Sequence, residues 1–240
     1  MEKKTAILRS YHKTHKDEYS LIKSNFENLV IKKNRLDGLR EIEKSNFDIV
    51  VMDDGLQDYR IKKDLSIICF NQNQMIGNGL VFPSGPLREN LNALKYSEII
   101  IINGAKNINF ENKVLSINRK LNIFYSSYEP VNIKQFKNVK LLAVAGIGNP
   151  DNFFRLLENN NLAIEKKLIY PDHYNFSESE IRNIVDYAAK RNYQIIMTEK
   201  DYYKVKDYKM NEIKYLKVKL KIDNQEKLLK KINKLHDKNN

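Results

Sequence analysis

Two aspartates at the end of an apolar run are the densest chemical signal in this sequence. Asp48-Ile49-Val50-Val51-Met52 leads directly into Asp53-Asp54-Gly55-Leu56-Gln57-Asp58. A short apolar run closing on paired carboxylates and a glycine predicts a buried parallel strand that delivers acids to the carboxyl edge of a sheet, where ligands bind. In nucleotide-hydrolysing and nucleotide-transferring proteins that position holds Mg²⁺, one carboxylate facing the ion and the other orienting it. The bland alternative is a strand end with helix-capping acids. The usual partner of such a strand, a G-x-x-x-x-G-K-[ST] phosphate loop, does not occur in the 240 residues. The residues therefore predict phosphoryl-transfer chemistry with its front end absent.

Other groups carry weaker signals. Pro83-Ser84-Gly85-Pro86-Leu87-Arg88-Glu89 is a loop stiffened by two prolines, which presents Arg88 either to a phosphate or simply to Glu89. Pro171-Asp172-His173-Tyr174 precedes Ser177-Glu178-Ser179-Glu180, a capping-box pattern, so His173 is either a general acid or base or a surface histidine on a capped turn. Gly146 to Pro150 reads as a structural strand-to-helix turn, because it lacks the lysine and hydroxyl of a phosphate loop. His12 and His15 have no Cys or His partner set for zinc. Cys69, the single cysteine, lies in an apolar run and is expected to be a buried small hydrophobe.

These residues need a scaffold of strands alternating with helices. Strands are expected at Thr5–Leu8, Leu29–Ile31, Asp48–Met52, Leu65–Phe70, Glu98–Ile102, Leu141–Ala145, Ile195–Met197 and Ile213–Leu220. Helices are expected at Leu36–Lys44, Asp151–Asn159 and Gln225–Leu235, with Tyr11 to Glu18 in a polar loop. That alternation predicts a parallel α/β sheet, with a domain seam at Pro130 dividing residues 1–130 from 131–240. Hydrophobic residues make up 42%, and no apolar run is long enough to span a membrane. The start at Met1 carries no signal-peptide core, so a soluble or peripheral cytoplasmic protein is expected. The net charge of +12 is spread along the chain except in the tail Lys227–Lys238, so it does not single out nucleic acid over an anionic membrane or a phosphorylated substrate.

Taken in order, the pieces resemble the tetraacyldisaccharide 4'-kinase family of the lipid A pathway. The likeness rests on Asp17-Glu18, on Asp53-Asp54-Gly55-Leu56-Gln57, and on Gly77-Asn78-Gly79 with Pro83 to Glu89. It continues through Ala145 to Pro150 with Phe153-Phe154, Pro171-Asp172-His173, and Met197-Thr198-Glu199-Lys200-Asp201 with Lys204. No single motif decides it; the ordered set is specific and spans nearly the whole chain. The resemblance implies a P-loop NTPase-like parallel sheet, its first strand and P-loop absent, with a smaller C-terminal α/β domain closing over the site. It implies ATP and Mg²⁺ as cofactors and phosphorylation of the 4'-hydroxyl of a tetraacylated glucosamine disaccharide 1-phosphate. The enzyme would then work peripherally at the cytoplasmic face of the bacterial inner membrane, on an anionic surface and without nucleic acid. By the same resemblance Asp17 and His173 are the catalytic pair and Asp53 and Asp54 the metal ligands. Arg9, Tyr11, Glu18, Arg35, Gln57 and Arg88 fall at substrate- or phosphate-binding positions.

Two departures stand out: Ser10 replaces a glycine of the family, and Asp58 replaces a histidine. Without a phosphate loop the 240 residues alone are expected to bind ATP poorly, to turn over slowly or not at all, and to expose an apolar sheet edge. The competing readings are a non-catalytic or split-chain homologue, and a basic α/β module that docks on nucleic acid or anionic membrane.

Overall fold

The structure, a computed structural model, describes residues 3–236; Met1 and Lys238, the ends named in the sequence reading, lie outside them. The chain forms two compact units that are interleaved along the sequence, residues 1–57 with 130–218, and residues 58–129 with 219–240. The sequence reading placed a single seam at Pro130. The compact units divide the chain differently, because the first 57 residues group with residues 130–218.

The first unit holds two parallel sheets. In one, β1 (Thr5–Ser10) is flanked by β2 (Leu29–Lys32) and β3 (Ile49–Met52). Ala6 and Leu8 of β1 are fully buried, and Ile42 of α2 (Arg35–Glu43) closes the same core. β3 is an edge strand with Val51 half exposed, so this sheet has the apolar edge that was expected. In the other sheet the order is β10 (Ile213–Leu216), β9 (Gln194–Thr198), β7 (Lys140–Ala145), β8 (Ala163–Ile169). Leu141 to Ala145 are all buried, as a central parallel strand covered on both faces requires. α4 (Pro150–Asn159) packs Phe153, Phe154 and Leu157 on one face, and α5 (Glu178–Ala189) packs Ile181 and Ile184 on the other. Both helices start as the sequence reading predicts. Asn149 caps α4 ahead of Pro150, and Ser177 with Glu180 forms the capping box of α5.

The second unit is built on a sheet of order β11 (Val218–Ile222), β6 (Asn122–Pro130), β5 (Ile99–Asn103), β4 (Ile67–Asn71). Phe70, Ile100 and Ile102 face Phe110 and Val114 of α3 (Ile108–Ile117), and Leu228 of α7 (Gln225–His236) packs near Ile99 and Phe124. Cys69 is exposed rather than buried: β4 is an edge strand, and the alternation that turns Ile68 and Phe70 toward α3 turns Cys69 outward.

Candidate active site

Parallel strands bring their carboxyl ends to one edge, and in the first unit that edge gathers most of the chemistry. β1 ends at Arg9 and Ser10 and its neighbour β3 runs into Asp53, so Arg9 Nε stands 3.1 Å from Asp53 Oδ2. The same guanidinium bonds Glu18 through Nη2. Asp17 and Glu18 are not in a loop, as expected from sequence, but in the first turn of α1 (Lys16–Asn25). Acids at a helix N-terminus are electrostatically favoured there. The segment reads poorly as a helix because its outer face is almost wholly polar.

α1 packs against α6 (Glu199–Val205), a short helix that leaves the carboxyl end of β9. Thr198 caps α6, accepting a hydrogen bond from the Asp201 amide. Asp201 is fully buried. Its carboxylate accepts hydrogen bonds from the Gly146 amide at 2.8 Å, Thr198 Oγ1 at 2.7 Å and Lys204 Nζ at 2.8 Å. Gly146 follows β7, so one buried acid ties α6 to the ends of two central strands. An added Cβ at Gly146 would lie 3.1 Å from Asp201 Oδ1, a tight approach that would push on the buried carboxylate.

α6 then presents two lysines to α1. Lys200 Nζ lies 3.0 Å from Glu18 Oε1, 3.4 Å from Asp172 Oδ1 and 3.8 Å from Asp17 Oδ2. Lys204 Nζ lies 3.7 Å from Asp17 Oδ2. His173 enters from the loop between β8 and α5 with a left-handed backbone, φ 57°, its amide held by Asp172 Oδ1. Its Nδ1 is 3.4 Å from Asp17 Oδ2. Asp17 is thus 5% exposed at its side chain and faced by two lysines and an imidazole, yet neither carboxylate oxygen receives a hydrogen bond. Burial works against the charge of Glu18, but the Lys200 and Arg9 contacts outweigh it and hold the carboxyl below its ordinary range. Burial likewise opposes the Lys200 charge, and Glu18, Asp17 and Asp172 overcome it and push the ammonium up.

A family model described as Tetraacyldisaccharide-1-P 4'-kinase matches residues 5–237. The chain belongs to the tetraacyldisaccharide 4'-kinase family. A tetraacyldisaccharide 4'-kinase of Pelagibacter ubique is 40% identical over 98% of this chain and 76% of its own length. One from Haemophilus influenzae is 33% identical over 83% of this chain and 58% of its own. The structure of LpxK from Aquifex aeolicus, in an "apo" form in complex with ATP, superposes with a TM-score of 0.70 at 20% identity, covering 98% of this chain and 79% of that one. The fold is therefore mixed α/β with parallel sheets, like that kinase, and the family is one of kinases acting in lipid A biosynthesis.

Set against the positions that the family likeness implies, the structure brings Arg9, Asp17, Glu18, Asp53 and His173 into one set of contacts. Arg35 belongs with them by its backbone contacts: Nη2 donates to the carbonyls of Asp53, at 3.2 Å, and Asp54, at 2.8 Å, bracing the turn after β3. Asp54 occupies the left-handed region at φ 55°. Tyr11 is exposed and stacks near Tyr19, and Gln57 is exposed at the end of the first unit's opening segment. Arg88 belongs to the second unit, on the loop closed by the Val81–Leu87 bridge. Asp58 is buried in a two-pronged pair with Arg60, both contacts 2.8 Å. Lys200, Lys204 and Asp201 were part of a motif in the sequence but had no task assigned. The signal that finds them is spacing: Lys200 and Lys204 are one helical turn apart and share a face.

Proposed function

We propose that the first unit carries the hydroxyl-activating half of a kinase site, transferring the γ-phosphoryl of ATP to the 4'-hydroxyl of a tetraacylated glucosamine disaccharide 1-phosphate. The observation that supports it most is Asp17: a buried carboxylate beside an imidazole, with both oxygens still unsatisfied. Buried acceptors are nearly always paired. A pair left open at 3.4 Å suits a site that completes its hydrogen bonds with substrate. Asp17 accepts the proton of the sugar hydroxyl, and His173, reached through Nδ1, shares it as the oxygen becomes nucleophilic. Lys200 and Lys204 stand beside Asp17 without occupying its oxygens, and Arg9 links Glu18 of α1 to Asp53 at the end of β3.

Asp53 and Asp54 offer oxygen donors at a sheet edge, the hard ligands Mg²⁺ prefers. No group of three candidate ligands exists among the described residues, which suits an ion that is held by one or two carboxylates and completed by phosphates and water. Bound there, Mg²⁺ would neutralise charge on the phosphates. No helix among the described residues is long and apolar enough to cross a membrane. Peripheral work at the cytoplasmic face of the inner membrane, on an anionic lipid surface, follows from the acylated substrate and the charge of +12.

Phosphate transfer from ATP to the tetraacylated disaccharide tests the reading. Asp17→Asn and His173→Gln are each expected to lower kcat by about 10²-fold or more, with KM little changed and the circular dichroism spectrum intact. Unchanged turnover in both variants overturns the proposed pair.

A further inference from the structure

Three of the chain's four histidines meet at this site. His15 lies flat on His173, with ring centroids 4.8 Å apart and planes 2° from parallel. His12 follows against His15 at 4.8 Å, tilted by 35°. His15 stands immediately before the first turn of α1, two residues from Asp17, but its side chain does not cap the helix. Its Nδ1 is buried with no hydrogen-bond partner, and Glu18 Oε2 lies 3.6 Å away. The ring is therefore placed by its face, not by its nitrogens.

His173 needs such a face. It sits on a loop, in a backbone conformation that no neighbouring helix or strand regularises. A ring lying flat against it limits rotation out of the plane and leaves the edge directed at Asp17, with Nε2 on the side of Glu18, 3.8 Å, and Asp172, 3.9 Å. We propose that His15 is a positioning residue: stacked on His173, it holds that imidazole in register with Asp17 while taking no part in the proton exchange itself. The inference rests on the reading of Asp17 and His173 as the working pair. Burial, the largest effect, holds the His15 imidazole below its ordinary value of 6.5 against the pull of Glu18, with the neighbouring His173, His12 and Arg9 adding to the lowering. Lys200 and Asp172 complete the charged groups around the stack.

Histidine-¹⁵N spectra of the full 240-residue chain test this, because four histidines are few enough to assign by substitution. The wild-type protein and His15→Phe are expected to show His173 as a single tautomer, with ring contacts to residue 15. His15→Ala is expected to show it averaged between tautomers and orientations. In turnover, His15→Ala should lower kcat by about 10-fold or more at nearly constant KM, and the flat ring of His15→Phe should recover most of that loss. If His15→Ala fails to fold, His15→Asn supplies the ringless comparison. A His173 tautomer and orientation unchanged by loss of the ring overturns the proposal. An ordered His173 in a wild-type protein that transfers no phosphate would count against the kinase reading and leave the stacking role standing.

Discussion

Asp17 is held by charge and not by hydrogen bonds, which sets it apart from Glu18 one residue later. Glu18 has its partners, and those partners make the site's stability depend on pH. Its folded pKa is lowered, so its contribution is present above the ordinary value of 4.5 and is lost as pH falls through the lowered one. Lys200 has a raised folded pKa, so its share is full below 10.5 and is lost as pH rises through the raised value. The stability difference between the wild-type protein and Lys200→Met should be greatest from about pH 5 to about pH 10 and shrink outside that window. Both side chains are only partly shielded from water, so the plateau should be about 1 kcal/mol. Urea unfolding across that range checks it; a difference indifferent to pH would mean that Lys200 acts through packing alone.

At the scale of elements, the site depends on how a short helix is fixed. α6 has only seven residues, too few to be stable alone, and its anchor is Asp201. Lys204→Met would leave that acid buried against Gly146 and Thr198 with no cation, at a cost of about 3–5 kcal/mol. Asn149→Ala, which removes the cap of α4, should cost about 1 kcal/mol. Denaturation midpoints that rank the two variants the other way would show that α6 is held by something else. The strands that position the site were legible because each is an apolar run ending in glycine, acid or threonine: β3 at Asp53, β7 at Gly146, β9 at Thr198. The elements that escaped are those with much exposed surface. α1 buries only Asp17 and Tyr19, and β8 alternates exposed lysine and glutamate with a few half-buried apolar residues. α3 and β6 lie where the apolar pattern loosens. The run Ile213–Leu220 reads as one strand, but the structure divides it at Lys217 between sheets of different units. A local pattern carries no information about which sheet a strand joins. The ordered motifs named Asp17, His173 and Asp53, which the fold links by contacts through Glu18 and Arg9, whereas the stacked His15 and the two lysines depend on approaches that only the folded chain makes.

For the whole molecule the decisive feature is the interleaving of the two units, whose chain crosses from one to the other after residues 57, 129 and 218. A ribosome delivers residues in order, so the opening segment emerges long before the strands that complete its unit. At about 5–20 residues per second, β1, β2 and β3 wait on the order of ten seconds or more for residues 130–218. The middle segment likewise waits for β11 and α7 at the far end. Nascent chains arrested after residue 129 should therefore be digested readily by a protease, and protection should appear only once residue 218 has cleared the exit tunnel. Early protection of residues 1–57 would mean that the small sheet is stable by itself. Until that point the small sheet of β2, β1 and β3 lacks the rest of its unit, and its apolar residues stay open to a crowded cell. Interleaving thus makes this protein a client for whatever shields nascent chains, and its yield in the cell should follow the speed of translation as much as the strength of its finished core.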